Sequence, residues 1–238
     1  SRDVENDSAV QTPLSRLLQG KTVAVYSDAG GREENEDSVR FLRRGDDGLL
    51  LVLADGLGGH GGGKTASAAA VEAVCSDWEG EADPGDLADR IARAHQTIRE
   101  KQTPDCMMKS TVVLLALRGQ QSAWAHVGDS RLYHFHQGKL EFQTRDHSAS
   151  QVAVLLGEIT PDQIRFHEDR GRILRALGQE GDLRPETGEQ TLPPGRHAFL
   201  LCSDGFWEYV LEQEMEEDLR TAADPQGWLD AMRGRLSR

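Results

Sequence analysis

Residues 110–143 read STVVLLALRGQQSAWAHVGDSRLYHFHQGKLEFQ, and this stretch decides the fold class. The turn-forming pairs Gly119-Gln120, Gly128-Asp129 and Gln137-Gly138 divide it into short segments rich in apolar residues. Such segments are typical of strands, and strands joined by tight turns form antiparallel meanders. We therefore predict four consecutive antiparallel strands, at 110–117, 122–127, 131–136 and 139–143.

The segments on either side of this meander contain further strands and helices. On its N-terminal side, strand patterns precede an Ala-rich helical pattern at 64–78 and a second helix at 86–101. On its C-terminal side, 148–177 has a mostly helical pattern, and two strands then precede two helices. These other strands are predicted at 21–27, 38–43, 49–54, 186–192 and 198–203, and the last helices at 212–219 and 226–235. This order predicts an α+β fold with sheets inside and helices outside, as one domain at 21–238 that follows a flexible N-terminal arm at 1–20.

Composition argues against several classes of function. The 238 residues carry 27 Lys+Arg against 40 Asp+Glu, and the net charge of -13 argues against nucleic acid as a partner, because phosphate backbones select basic surfaces. No apolar run is long enough for membrane insertion, and the polar start lacks an apolar signal core. The cysteines show no close pairing, which favours the reducing cytoplasm. Cys75 and Cys202 lie in apolar surroundings typical of small core residues.

Two Asp-Gly steps directly follow predicted strands. Asp55-Gly56 comes after the apolar run 49–54, and Asp204-Gly205 comes after 198–203. A carboxylate at the end of a strand is rigidly held, and glycine lets the backbone turn so that a carbonyl group also faces a ligand. Carboxylate and carbonyl oxygens suit Mg²⁺ or Mn²⁺. The two steps together predict a metal site built on a sheet, whereas either step alone is also typical of an ordinary turn.

Two further loops carry charged groups. The loop GREENED at 31–37 places the Arg32 guanidinium, whose planar fork matches phosphate oxygens, close to a Glu-Asp pair. The alternative for this loop is a solvated charged turn. The loop GDSR at 128–131 lies between two predicted strands, and its alternative is a structural ion pair between Arg131 and Asp129.

Residues 58–65, GGHGGGKT, match a phosphate-binding loop: a glycine, any four residues, then Gly-Lys and Ser or Thr. A nucleotide hydrolase is therefore an alternative function. Such enzymes use parallel strands with helical crossovers, whereas 110–143 predicts an antiparallel meander. This alternative also gives no role to Asp55. We instead expect the glycines to bring the backbone close beside a metal-binding Asp, and Lys64 to lie in the first turn of a helix, exposed to solvent.

These motifs in this order resemble one family. From about residue 23 to 210 the sequence is similar to the bacterial form of the metal-dependent protein phosphatase 2C family. The resemblance is carried by GREENED at 31–37, DGLGGH at 55–60, GDSR at 128–131, RALG at 175–178 and SDG at 203–205. Residues 148–178 are similar to the flap beside the active site of the family. The ending Phe206-Trp207-Glu208 resembles phosphatases attached to bacterial type VI secretion clusters.

The resemblance implies a four-layer α/β/β/α sandwich of two antiparallel sheets flanked by helices. It also implies a binuclear Mn²⁺ or Mg²⁺ centre between the sheets. Asp55 would bridge the two metals, the Gly56 carbonyl would bind the second, and Asp204 would bind the first. Glu36 and Asp37 would hold metal-bound waters.

Other positions would serve the substrate or a third metal. Arg32 would bind the substrate phosphate. Asp129 matches a position that helps to hold a third, weaker metal, and Glu208 stands where the family usually has an Asp for the same metal. Leu57 occupies the position of a His that is proposed as general acid in animal members. His60 lies nearby and is the candidate catalytic histidine.

One family feature is missing from this sequence. The family pattern ends with Asp-Asn before a last strand, and that Asp completes the shell of the first metal. No Asp-Asn occurs here, and Asp224 and Asp230 stand in a different context. Two alternatives stay open: further residues follow in the whole protein, or the shell of the first metal is incomplete.

The implied activity is hydrolysis of phosphoserine and phosphothreonine in proteins by direct attack of a metal-bridging water. The partner would be a phosphorylated protein, the target of a Ser/Thr kinase, in bacterial signalling. The alternatives are a catalytically impaired, phosphatase-like binding module, which the missing Asp-Asn suggests, and the nucleotide hydrolase.

Overall fold

A computed structural model describes residues 21–26, 35–59 and 61–237. The strands in these ranges are β1 (Lys21–Tyr26), β2 (Asp37–Arg44), β3 (Gly48–Leu57), β4 (Lys109–Ser110), β5 (Val112–Arg118), β6 (Gln121–Val127), β7 (Arg131–His136), β8 (Lys139–Gln143), β9 (Glu186–Thr191) and β10 (His197–Cys202). The helices are α1 (Gly62–Cys75), α2 (Pro84–Lys101), α3 (Ala149–Leu155), α4 (Asp204–Trp207), α5 (Glu212–Thr221) and α6 (Pro225–Gly234), with short 3-10 helices at Pro161–Phe166 and Arg235–Ser237.

The strands form two sheets that pack face to face. One sheet has the order β1-β10-β7-β8, and the other has the order β2-β3-β5-β6-β9 with the short β4 paired to β3. The neighbouring strands run antiparallel except β1 and β10, which run parallel. Helices α1 and α2 cover the second sheet, and α5 and α6 cover the first. The expected four-layer α/β/β/α sandwich is confirmed.

The apolar run of β3 shows why the layers form. Leu49, Leu51 and Leu53 belong to the core between the sheets, whereas Leu50 and Val52 belong to the core under α1 and α2. Successive side chains of a strand point to opposite faces, so a strand buried on both faces reads as a continuous apolar run. Strand β10 is divided in the same way between the core between the sheets and the core under α5 and α6.

The four strands of the predicted meander divide between the two sheets. Strands β5 and β6 form a hairpin in one sheet, and β7 and β8 form a hairpin in the other. The prediction of one continuous meander was therefore wrong at Gly128-Asp129. The N–H and C=O groups of Gly128 bond to His147 instead of to a neighbouring strand, and Gly128 has a φ of +107°, which favours glycine. The chain crosses here from one sheet to the other.

Residues 148–177 are less helical than predicted. Helix α3 ends at Leu155, and only the 3-10 helix Pro161–Phe166 follows it. Beyond that point the backbone bonds to distant segments: the Leu174 N–H donates to the His147 carbonyl (2.8 Å), and the Leu177 N–H donates to the Ser110 carbonyl (2.7 Å). These long-range bonds replace the local bonds of a helix, so the prediction was wrong here. The other predicted strands and helices are present to within a few residues at their ends.

The burial of the cysteines and the character of the helices can be compared with what the sequence composition indicates. Cys75 and Cys202 are buried, as predicted, and both are free, as is Cys106. In the described ranges, no helix combines the length and the apolar character needed to cross a bilayer.

Candidate metal centre

Two carboxyl groups face each other on neighbouring strands. Asp37 begins β2, Asp55 lies near the end of β3, and the antiparallel register pairs the two residues directly. Both are buried, with 1% and 2% of their surface exposed. Burial raises the pKa of Asp55 well above its usual range, and the negative charges of Asp37 and Asp204 raise it further. This part of the protein therefore concentrates carboxyl groups where water is largely excluded.

Segments next to strands of the other sheet supply the other predicted ligands. Asp204 begins α4 directly after β10, and Asp129 lies in the crossover between β6 and β7. Burial raises the pKa of Asp129 well above its usual range, and the charges of Asp204, Asp146 and Glu208 also raise it. Glu208 lies one turn after Asp204, because its N–H donates to the Asp204 carbonyl (3.1 Å). The structure thus brings together the predicted ligands, which we call the acidic cluster: Asp37, Asp55, Asp129, Asp204 and Glu208.

The glycines beside Asp55 bring the start of α1 against β3. A side chain on Gly56 would overlap the carbonyl group of Gly63, and a side chain on Gly63 would overlap the carboxylate of Glu36. The Gly56 N–H also donates to the Glu36 carbonyl (3.0 Å). The close backbone approach expected for these glycines is present, and it places Glu36 next to the acidic cluster. The role of the Gly56 carbonyl as a ligand stays a prediction.

Lys64 has a contact that the sequence did not predict. It is exposed in the first turn of α1, as expected, but its Nζ donates to the Asp37 carbonyl (2.5 Å) and to Ser38 Oγ (3.2 Å). Lys64 helps to hold the backbone of Asp37 in place.

The strand arrangement around the glycine-rich loop argues against the nucleotide hydrolase. Strand β3, which leads into this loop, pairs antiparallel with β2, β4 and β5. A phosphate-binding loop of the nucleotide hydrolase type follows a strand of a parallel sheet. The match at 58–65 is thus coincidental, and Gly58, Gly62 and Gly63 within it allow close packing.

Sequence reasoning missed Thr111, which holds the backbone of Asp55. The Thr111 N–H donates to the Asp55 carbonyl (2.9 Å), and Thr111 Oγ1 accepts from the Asp55 N–H (3.0 Å). The same Oγ1 forms a hydrogen bond with Ser130 Oγ (2.8 Å). No signal singles out Thr111, because β-branched residues are common in strands.

A buried ion pair between Arg131 and Asp146 lies next to Trp207, which holds the backbone of Asp129. Arg131 donates through Nε and Nη2 to the two carboxylate oxygens of Asp146, at 2.9 and 2.7 Å. Its guanidinium lies 3.5 Å from the centre of a Trp207 ring, and Trp207 Nε1 donates to the Asp129 carbonyl (2.8 Å). The alternative of an ion pair between Arg131 and Asp129 was wrong, since Asp146 holds the guanidinium.

The acidic cluster fits divalent cations. Both carboxylate oxygens of Asp129 are buried, and neither has a hydrogen-bond partner within the described ranges. A buried carboxylate without partners is unfavourable unless a cation compensates its charge. A donor set of oxygens alone suits Mg²⁺ or Mn²⁺. The other two predicted site residues, Arg32 and His60, lie outside the described residues.

A family model described as "Protein phosphatase 2C" matches residues 27–237, which include the whole acidic cluster. The chain belongs to the protein phosphatase 2C family. It is a metal-dependent protein serine/threonine phosphatase, and its substrates are phosphoproteins.

Curated relatives of the phosphatase are described as serine/threonine phosphatases. The serine/threonine phosphatase stp of Listeria monocytogenes is 32% identical over 201 residues, which cover 80% of this chain and 79% of the relative. The serine/threonine protein phosphatase PstP of Mycobacterium tuberculosis is 34% identical over 217 residues, which cover 87% of this chain but 40% of the relative. The chain thus spans most of stp and less than half of PstP.

Solved structures share the fold of the phosphatase. The catalytic domain of PstP in complex with 2 manganese ions has a TM-score of 0.75 and 30% identity, with 89% of each chain covered. PppA, described as a key regulatory component of T6SS in Pseudomonas aeruginosa, has a TM-score of 0.73 and 31% identity, with 89% of this chain and 88% of PppA covered.

Proposed function

We propose that the phosphatase hydrolyses phosphoserine and phosphothreonine with two Mn²⁺ or Mg²⁺ ions held by the acidic cluster. The observation that carries the proposal is the pairing of Asp37 with Asp55 on one sheet, next to Asp204 from the other. Bound ions of this kind supply Lewis acidity, which activates water and neutralises phosphoryl oxygens. The two manganese ions in the PstP structure support this number and this metal.

Each residue of the centre has a separate task in this proposal. Asp55 would contact both ions, the Gly56 carbonyl would contact the second, and Asp204 would contact the first. Glu36 and Asp37 would orient water through hydrogen bonds. Asp129 and Glu208 would hold a third, weaker ion, and their location in one cluster supports this assignment.

The substrate phosphate would be held by Arg32, whose planar fork matches phosphate oxygens. Water would then form the new P–O bond as the bond to the Ser or Thr oxygen breaks, and that oxygen would take up a proton. His60 stays the candidate catalytic histidine. Direct attack by water is favoured because Cys75 and Cys202 are buried in apolar cores, and Cys106 does not belong to a phosphate-binding signature loop.

The deciding experiment measures phosphate release from a phosphothreonine peptide with and without Mn²⁺, together with Mn²⁺ binding by calorimetry. We expect Mn²⁺-dependent release and no hydrolysis of ATP. Mn²⁺ binding without release would favour the phosphatase-like binding module. ATP hydrolysis without peptide hydrolysis would favour the nucleotide hydrolase.

We also propose a role in regulating type VI secretion, with a target of a Ser/Thr kinase as substrate. The similarity to PppA and the Phe206-Trp207-Glu208 ending support this role. Deleting the gene in its host should change the amount of secreted type VI effector, whereas unchanged secretion would contradict the proposal. A cytoplasmic location stays a prediction.

A further inference from the structure

His147 holds the backbone directly before Asp129. It follows Asp146 in the segment between β8 and α3, and it makes two hydrogen bonds to one residue of the crossover. The Gly128 N–H donates to His147 Nδ1 (3.1 Å), and the His147 N–H donates to the Gly128 carbonyl (2.9 Å). The His147 carbonyl accepts from the Leu174 N–H (2.8 Å), so the same residue also ties the crossover to the flap, residues 148–178.

This contact matters because, within the described ranges, no hydrogen bond aims the carboxylate of Asp129. Both of its carboxylate oxygens are buried without hydrogen-bond partners in the part of the chain that the structure describes. The direction of the side chain therefore depends on the backbone on either side of it. Trp207 Nε1 holds the Asp129 carbonyl (2.8 Å), and His147 holds the peptide groups of Gly128. From this geometry we propose that His147 is a positioning residue for Asp129, and that it sets the affinity of the metal that Asp129 would hold.

The ring of His147 must be neutral for this task. Because Nδ1 accepts the Gly128 N–H, the single ring proton lies on Nε2, which is 3.6 Å from Oε2 of Glu186. A second ring proton, on Nδ1, would place the Nδ1–H donor against the N–H donor of Gly128. The ring is stacked on His126, and Arg175 Nη1 lies 3.4 Å from Nε2, to which it does not donate in this tautomer. Burial and these two neighbours lower the pKa of His147 to about 3, so the acceptor at Nδ1 persists at neutral pH.

The same neighbours raise the question of a separate metal site at this place. Ligand atoms of His126, His147 and Glu186 all lie within 4.8 Å of one another. However, His126 Nε2 already pairs with the Arg145 carbonyl (2.8 Å), and the two rings are nearly parallel, at 11°. The lone pairs of parallel imidazoles point side by side instead of converging, and the Arg175 cation repels a metal ion. The geometry therefore favours a structural role for His147, through its bonds to Gly128, over a metal site at these three residues.

The inference rests on the proposed metal centre, so the test separates the two. Mn²⁺ binding by calorimetry and the Mn²⁺ dependence of kcat are measured for the wild type and for Asp55→Asn, Asp129→Asn, His147→Ala and His147→Asn. Loss of a supporting partner weakens a metal site by about tenfold or more, so His147→Ala should raise the dissociation constant of the weakest Mn²⁺ site by this factor. The Asn side-chain oxygen can replace Nδ1 as the acceptor, so His147→Asn should restore binding to within about threefold.

His95 offers a matched control. Its Nδ1 also accepts a glycine N–H, from Gly178 (2.9 Å), but His95 lies on α2. Both alanine variants should lower the melting temperature, and only His147→Ala should change Mn²⁺ binding. Equal changes in Mn²⁺ binding for His95→Ala and His147→Ala, or none for His147→Ala, would overturn the inference.

The remaining variants assign any failure to its cause. A wild type that binds no Mn²⁺ would refute the proposed function and the inference together. If Asp55→Asn weakens Mn²⁺ binding and Asp129→Asn does not, the inference fails and the proposed function stands. Loss of one bound ion in Glu186→Gln, with the acidic cluster intact, would instead show a metal at His126, His147 and Glu186 and would overturn the positioning role.

Discussion

Asp37 and Asp55 are direct register partners on the antiparallel strands β2 and β3, and the charge of Asp37 helps to raise the pKa of the buried Asp55. Two buried carboxyl groups this close cannot both be ionised at neutral pH without a compensating cation. Ionising both groups therefore costs free energy, and metal binding would relieve this cost. This relationship underlies the first prediction.

Asp55→Asn should lower the Mn²⁺-dependent kcat by about a thousandfold or more, because it removes the carboxylate that would contact both ions. The metal-free variant should unfold at the same urea concentration as the wild type or a higher one, because one source of repulsion is gone. Asp46→Asn, in the exposed turn of the same hairpin, is the control and should keep full activity. A variant that retained half of the wild-type rate would refute the metal assignment.

Asp146→Ala should lower the free energy of unfolding by about 3–5 kcal/mol, because it removes the carboxylate that accepts two hydrogen bonds from the buried Arg131 guanidinium and leaves the more distant Glu212, at 3.7 Å. Urea denaturation of the metal-free protein measures this change. Asp89→Ala, on the exposed side of α2, should change the free energy by no more than about 0.5 kcal/mol. Equal stability of Asp146→Ala and the wild type would show that the ion pair makes no net contribution to the free energy of unfolding.

Lys64→Ala should lower kcat/KM by about twofold to tenfold, since a hydrogen bond contributes about 0.5–1.5 kcal/mol and Lys64 bonds to the Asp37 carbonyl. In a nucleotide hydrolase the same change would abolish activity. Phosphopeptide kinetics distinguish the two outcomes, with Lys101→Ala at the exposed end of α2 as the control. A decrease in kcat/KM of more than about a thousandfold would favour the phosphate-binding loop of a nucleotide hydrolase.

Arg32→Ala should lower kcat/KM by about tenfold to a hundredfold, because a charge-assisted hydrogen bond to phosphate contributes about 1.5–3 kcal/mol. Mn²⁺ affinity should change little, since Arg32 is assigned to the substrate. Steady-state kinetics with a phosphothreonine peptide test this, and Arg43→Ala on the exposed part of β2 is the control. Unchanged kinetics would identify the 31–37 loop as a solvated charged turn.

Stability should fall on mild acidification because of His134. Burial, followed by the neighbouring His197 and His136, lowers the pKa of His134 from 6.5 to about 4. Between pH 6.5 and about pH 4, the unfolded chain therefore binds a proton at His134 that the folded chain does not bind. The contribution of His134 to stability is complete above pH 6.5 and is lost as the pH falls towards 4. The loss should be about 1–3 kcal/mol.

The measurement is urea denaturation from pH 7 to pH 4 for the metal-free wild type and for His134→Phe. The phenyl ring can still stack on Phe199, as the imidazole does at 4.6 Å, but it does not titrate. The raised pKa values of Asp55 and Asp129 act in the opposite direction, and they are common to both proteins. The slope of stability against pH should be flatter in His134→Phe, and identical slopes would exclude His134 as the cause.

The sequence by itself determined most of the elements, and together with the family resemblance it identified all five residues of the acidic cluster. Strands β7 and β8 begin and end where predicted, because alternation and turn residues such as Gln137-Gly138 act over only a few residues. The Asp-Gly steps at 55 and 204 were found as strand ends, and the structure brings them together with Asp37, Asp129 and Glu208. The roles of Arg32 and His60 stay predictions from the sequence.

Only the tertiary structure decided which distant groups meet. It divided the predicted meander between two sheets. It also paired Arg131 with Asp146 through hydrogen bonds. Two further hydrogen bonds join Thr111 to Asp55 and Gly128 to His147. The physical reason is that an arginine, a threonine or a histidine can bond to many different partners in the chain. The topology of the sandwich selects one of them, and that choice depends on contacts between residues far apart in the sequence.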